Sequence, residues 1–416
     1  MSGIFEFLSG CARQVTRGGR AYWAWMGLLG VAIAVGLVAY VHQARAGLIA
    51  TNMRDEVSWA FYIGNFTFLV GVGAAAVLLV IPAYVYHWKP IKEVAILGEL
   101  LAISALTMCM LFILVDMGRP DRLLHVVPLL GTPNWPRSLL AWDALVLNVY
   151  LALNVVLVVY LLYKAYRGED YDKRVFVPLI LLSIPVAIST HTVTAFLYNG
   201  MAARPYWNAS ILAPRFLASA FCSGPAVMLI LFQILRKTVN FPIKDEAISK
   251  VAELMAYAMF LNLFMLGAEV FKEFYSGTEH TLYSRYLWFG IGEHRALVPY
   301  AWLSLFASVT AFFLFLIPRT RNNIVTLNLG CLLIWAGVYI EKGMGLVIPG
   351  FTPSTLGQIM NYTPSATEWG IAAGVFGTGF LVFTVLVKIA VPILFGTFRA
   401  REKDSRAHAP VVAPAP

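Results

Sequence analysis

Residues 22–41 read YWAWMGLLGVAIAVGLVAYV, a run without a single charged side chain. A helix rises about 1.5 Å per residue, so a run of this length crosses the roughly 30 Å hydrocarbon core of a bilayer. Residues 366–395 repeat the pattern near the other end, ATEWGIAAGVFGTGFLVFTVLVKIAVPILF, with Glu368 and Lys388 as the charged positions. Neither run alternates apolar and polar residues with period two, so neither reads as a barrel strand. In hydrocarbon every backbone N–H and C=O needs a partner within the structure, which leaves the helix.

Working outward, the whole 416-residue chain follows the same rule: 59% of it is hydrophobic and 13% charged, where a soluble domain carries about 25% charge. Ten apolar blocks are long enough to span, at about 21–41, 57–86, 93–116, 140–163, 176–198, 211–235, 248–274, 297–317, 323–341 and 368–396. The chain is therefore read as an all-α integral membrane protein. It divides into an N-terminal segment (1–20), a transmembrane domain (21–396) and a tail (397–416) whose HAPVVAPAP end has a disordered composition. The first span, preceded by Arg13, Arg17 and Arg20, is expected to be retained. The four cysteines (Cys11, Cys109, Cys222, Cys331) are far apart and form no C-x-x-C pair, so they read as small apolar packing residues rather than ligands of zinc or an iron–sulfur cluster.

The net charge of +9 would suggest nucleic acid in a soluble protein, but here it follows topology. Lys164, Arg167, Lys173 and Arg174 fall in one short loop, Arg236, Lys237, Lys244 and Lys250 in another, and Arg399, Arg401, Lys403 and Arg406 near the C-terminus. The positive-inside rule then places both termini in the cytoplasm. The loops on the other side are longer and rich in Pro, Trp, Tyr and Asn: 117–138, 199–210, 275–296 and 342–367. Long loops of this kind carry function, and this face reads as a docking platform for another protein.

A charge within the bilayer costs at least about 2.5–3.5 kcal/mol, so ionisable residues inside spans are candidates for chemistry. Glu99 and Asp116 lie on the third span, roughly 25 Å apart at helical rise; Asp143 lies on the fourth and His191 on the fifth. On the seventh, Glu269, Lys272 and Glu273 stand three and four apart and share a face with Asn262. Ser189, Thr190, Thr192 and Thr194 make a polar patch around His191. Glu253, Lys342 and Lys388 sit toward span ends, where a long side chain reaches the interface. A transmembrane b-haem needs two histidines at matched depth. Of seven histidines only His191 falls well inside a span, so an intramembrane bis-histidine haem is not expected.

Four blocks then combine: Phe68 to Ala76 (FLVGVGAAA) with Gly98-Glu99-Leu100; Asp116 to Arg122 (DMGRPDR) with Ser138 to Asp143 (SLLAWD); Ser189 to Phe196 (STHTVTAF); and Arg204 to Asn208 (RPYWN). Together they resemble the NrfD/PsrC family, the membrane subunits of polysulfide-reductase-like complexes. The likeness is to its ten-helix branch from sulfate reducers, which includes membrane subunits of the menaquinone reductase, high-molecular-weight cytochrome and sulfite-reductase-associated complexes. The resemblance covers about residues 20–395. It implies two four-helix bundles plus peripheral helices and no haem, metal or iron–sulfur cluster in this chain. It also implies a menaquinone site near the non-cytoplasmic surface and a periplasmic iron–sulfur partner, accompanied by a multihaem cytochrome c or a molybdopterin-family subunit. One departure matters. Related proteins carry His in a Gly-x-Gly-His-Ala-Gly stretch near the quinone, and here that position is Ala74.

The sequence thus predicts quinone contact at Asp116, Arg119, His125, Asp143 and His191, and a proton path through Glu99, Glu269, Lys272 and Glu273. Two rival readings are a secondary transporter, with helices broken at Pro185 and Pro225, and a membrane anchor without its own quinone site.

Overall fold

A computed structural model describes residues 2–127, 130–278 and 280–400, with backbone alone for 2–4. Among these residues the structure is all helical, and ten helices are long and apolar enough to cross a membrane. Thirteen elements matter here: α1 (Ser2–Val15), α2 (Arg20–Ala46), α3 (Phe61–Ala74, with its continuation Val77–Val80 and a π turn Ile81–Val85), α4 (Lys89–Asp116), α5 (Leu139–Tyr166), α6 (Lys173–Asn199), α7 (Leu212–Thr238), α8 (Asp245–Ser276), α9 (Thr281–Trp288), α10 (Val298–Leu316), α11 (Ile324–Lys342), α12 (Met344–Phe351) and α13 (Ala366–Leu394).

Every expected span corresponds to one long helix, and several of the apolar runs begin at a residue that caps them. Ser138 accepts from the Ala141 N–H and Asp172 from the Arg174 N–H. Ser365 and Glu368 form a reciprocal capping box at the start of α13. The prolines singled out as candidate breaks, Pro185 and Pro225, lie inside α6 and α7, which run on through them. The interruptions fall elsewhere: at Ala75–Ala76 in α3, and at Gly343, where α11 ends and α12 begins.

The helices associate as two rings of four. α3, α4, α5 and α6 close one bundle; α7, α8, α10 and α11 close the other; α3 and α6 both pack on α7 and join them. α2 and α13 pair outside the first bundle, with α13 lying along α4. Two glycines let α2 and α13 meet. A Cβ on Gly36 would stand 2.5 Å from the Cα of Gly374, the close backbone approach that small residues allow where lipid supplies no hydrophobic drive.

The two ends of the molecule differ. At one end α1 packs beside the C-terminal segment: Phe7 meets Tyr163 and Tyr166, and Phe398 lies against Tyr166 and Gly10. The Ala400 N–H bonds to the Tyr166 carbonyl, while residues 401–416 of the sequence-read tail lie outside the described residues. At the opposite, loop-rich end, Trp59, Tyr198, Trp207 and Phe351 form an aromatic cluster. Trp207 is fully buried and its Nε1–H bonds to the Leu346 carbonyl at 2.9 Å, holding α12 within the protein.

Candidate functional site

The site grows from the start of α3. Asn65 lies one turn in, buried, with its Nδ2 donating to the Phe61 carbonyl at 2.7 Å. That leaves Oδ1 to accept from the Tyr339 hydroxyl of α11 at 2.8 Å. Across from them the Tyr362 hydroxyl donates to Glu368 and accepts from the Phe61 N–H. Glu368, fully buried, also accepts the N–H groups of Asn52 and Ser365. Between these elements lies a cleft of about 250 Å³, walled mainly by apolar and aromatic side chains such as Phe61, Leu297, Met344, Tyr300 and Trp369. Tyr300 and Trp369 are each 57% exposed and flank its mouth. Aromatic walls with a few fixed hydroxyl and amide groups suit a flat, apolar ring that carries carbonyl oxygens.

A second chamber adjoins the cleft, sharing Leu287, Ala301, Ile340 and Gly345 as walls. Here Arg215 of α7 binds two carboxylates, Glu269 of α8 and Glu341 of α11. The three side chains are only 12%, 15% and 10% exposed, and the Asn262 amide also donates to Glu341, at 3.2 Å. Next in sequence, Lys342 is buried. Its Nζ donates to the Phe216 carbonyl at 2.7 Å, lies 3.0 Å from His191 Nε2, and stands over the Phe216 ring. His191 Nε2 lies 2.7 Å from that same carbonyl, which only accepts, so Nε2 carries the ring proton and donates it, and the buried Nδ1 is the bare nitrogen, without a hydrogen-bond partner among the described residues.

The sequence-predicted residues divide. Asp143 and His191 are linked through α6: Asp143 is buried and accepts from Thr194 Oγ1 at 2.6 Å, and Thr194 lies one turn beyond His191 on that helix. The Tyr198 hydroxyl, 2.6 Å from Thr67 Oγ1, lies within electrostatic reach of both Asp143 and Asp116. Asp116 ends α4, with its Oδ1 buried and unpartnered, and is an electrostatic neighbour of Glu368. Arg119 and His125 do not join them. Arg119 stands in the exposed loop after α4, where its guanidinium grips Asp121 at 2.9 and 3.0 Å and holds that carboxyl below its ordinary range. His125 is also exposed, at the rim of a surface hollow.

Among the proton-path candidates, Glu99 is buried within α4 with Oε1 unpartnered. Glu269, Lys272 and Glu273 do not act as one stripe. Glu269 is engaged by Arg215, whereas Lys272 is exposed and pairs with Glu273 at 2.9 Å. The reading of Lys342 as an interfacial lysine is also corrected. α12 continues beyond Gly343 and carries the membrane-spanning stretch on to Phe351, so Lys342 is enclosed. Sequence reasoning passed over Arg215, Glu368, Asn65, Tyr339 and Tyr362. Arg215 and Glu368 are charges inside apolar runs, a signal that was present. The others are uncharged and carry no such mark.

The fold and the lipid-flanked cleft define a polytopic helical membrane protein whose polar groups converge at one end. The chain belongs to the family described as Polysulphide reductase, NrfD, whose model matches residues 49–352. Three relatives are similar over nearly their full length. A membrane component of dimethyl sulfoxide reductase, so named in Halobacterium salinarum, is 26% identical, covering 86% of this chain and 88% of the relative. A component of selenate reductase from Mesobacillus selenatarsenatis is 21% identical, covering 86% and 91%. The integral membrane component of an Hdr-like menaquinol oxidoreductase from Archaeoglobus fulgidus is 21% identical, covering 88% and 93%.

Proposed function

We propose that this chain is the quinone-interacting membrane subunit of a respiratory oxidoreductase complex in a bacterial inner membrane. It exchanges electrons between a periplasmic iron–sulfur partner, docked on the loop-rich end, and menaquinone or menaquinol in the bilayer. The cleft beside Asn65, Tyr339 and Tyr362 carries this reading: it is apolar, aromatic and open between two half-exposed aromatics, and it lies at the end with the long loops. The names of the relatives, each a part of a reductase or quinol oxidoreductase, support the same reading.

Reduction of a quinone takes up two electrons and two protons, and oxidation releases them. The electrons pass to or from the partner's cluster. The protons need groups of this chain. Tyr362 and Glu368 stand at the cleft, and Asp116 lies next beyond Glu368. Asp143 and His191 lie further in, along α5 and α6. Glu99 lies toward the opposite end of α4 and would extend proton conduction across the bilayer. In the adjoining chamber two carboxylates on one guanidinium carry a net charge of −1 unless one holds a proton, which makes Glu269 and Glu341 a second candidate store.

The test is to purify the tagged chain in mild detergent and identify its companions and quinone by mass spectrometry. Recovery of an iron–sulfur protein, a molybdopterin-family or multihaem cytochrome partner, and menaquinone is expected. Recovery of the chain alone without quinone would overturn the reading. In the complex, Asp116→Asn should lower quinone turnover at least tenfold, within the usual reach of a positioned proton-transfer group, while assembly is retained. Normal turnover would remove Asp116 from the path.

A further inference from the structure

At the α1 end of the molecule, a different kind of hollow opens on the outer wall. Its cause is local. Pro82 has no N–H, so the carbonyl one turn back at Leu78 loses its helical donor, and the backbone widens into the π turn Ile81–Val85. There the Tyr86 N–H reaches the Ile81 carbonyl and the Trp88 N–H the Pro82 carbonyl. The groove lies between this end of α3 and the helices α7 and α8. Its volume is about 500 Å³, within the roughly 300–1,000 Å³ typical of ligand sites.

The groove is graded along its length. Leu78, Ile81, Phe221 and Leu254 form an apolar floor, and Tyr86 and Trp88 stand at its rim, the aromatic pair favoured at headgroup level. Lys250 is its one charged lining residue and is 45% exposed. Lys250 does contact a carboxylate, Glu253 at 3.2 Å. That carboxylate also accepts from the Tyr257 hydroxyl at 2.8 Å and has Arg321 as a further electrostatic neighbour. Lys89 follows Trp88 directly. Around the mouth the basic Lys250, Arg321 (beside Glu253) and Lys89 (beside the rim residue Trp88) outnumber the acidic Glu253 and Glu246, the latter one turn before Lys250 on α8.

We propose that this groove binds one anionic phospholipid, with an acyl chain along Leu78 and Leu254 and the phosphate at Lys250. Charge complementarity selects this occupant. A neutral isoprenoid tail would fill the slot but gain nothing from the cationic mouth, and a zwitterionic lipid would bring its own cation to it. The site lies at the end opposite the quinone cleft and does not depend on that reading.

The test uses the full chain in nanodiscs of phosphatidylglycerol mixed with phosphatidylcholine, released into the gas phase for native mass spectrometry. The wild type should retain one phosphatidylglycerol per chain in preference to phosphatidylcholine. Lys250→Gln should lower that preference about fivefold, the weight of one cation at a charged surface. Leu254→Trp should fill the slot and abolish retention, with an unchanged melting temperature showing that the chain is still folded. Retention of phosphatidylcholine or quinone in place of phosphatidylglycerol by the wild type would overturn the proposal. So would an unaltered preference in Lys250→Gln, or persistence of the lipid in a folded Leu254→Trp.

Discussion

The two four-helix bundles treat buried charge in opposite ways. In the second, Arg215 pairs with both Glu269 and Glu341 in a cluster drawn from α7, α8 and α11, with Asn262 donating to one of the carboxylates. In the first, Glu99, Asp116 and Asp143 are carboxylates with no ion-pair cation among the described residues. Asp143 has a threonine hydroxyl, while Glu99 and Asp116 each keep a buried oxygen without a partner. Charges that neutralise one another hold helices together. Carboxylates that stand alone in a low-dielectric interior are expensive, and an expensive group that brings no structural return marks a site of chemistry. The difference separates a bundle whose buried charges are ion-paired from one whose buried carboxylates have no cation partner among the described residues.

The largest effect expected is from breaking the ion-paired cluster. Arg215→Met leaves two buried carboxylates facing each other and should destabilise the protein by about 3–5 kcal/mol, as loss of one partner of a buried pair does. A thermal melt of the detergent-solubilised chain reads this directly, and an unchanged melting temperature would erase the contrast between the bundles. Next is Asp143→Asn. The amide oxygen can still accept from Thr194, so stability should move by less than about 1 kcal/mol, while quinone turnover drops tenfold or more. A stability loss matching that of Arg215→Met would reclassify Asp143 as structural.

Smaller effects sharpen the contrast at its edges. Tyr339→Phe removes the hydroxyl that bonds Asn65 at the cleft and should cost about 1 kcal/mol. The loss should appear as a raised KM for quinone, with kcat and assembly of the complex largely kept. Smallest of all is the exposed Arg119–Asp121 pair. The Asp121 carboxyl is held low by Arg119, so the pair persists above the ordinary aspartate range and is lost as pH falls below it. Arg119→Ala should therefore leave the neutral-pH melt unchanged, and any effect should appear in partner binding, measured by co-purification at rising salt.

How far the sequence reaches can be judged from particular residues. The ten spans were legible because hydrocarbon admits no unpaired backbone, so each apolar run of about 20 residues has one solution. Glu99, Asp116 and Asp143 were legible for the same reason, since a charge in such a run stands out. Lys342 was misread because its enclosure depends on α12, an apolar loop segment that packs under Trp207 instead of leaving the membrane. Arg119 was singled out with Asp116 by the Asp-Met-Gly-Arg-Pro stretch, and where it and His125 stand was not legible. The chain turns outward after Met117 and leaves them in solvent.

What the sequence alone determined, then, is the solvent this protein lives in, the number of its membrane spans and the presence of costly charges within them. Each follows from a local balance between hydration and burial that needs no neighbour to evaluate. Which charge meets which was decided only by the tertiary structure. Arg215 lies 54 positions from Glu269 and 126 from Glu341, and His191 lies 151 from Lys342. Pairings over such separations are set by how the two bundles pack, through contacts that no single segment contains.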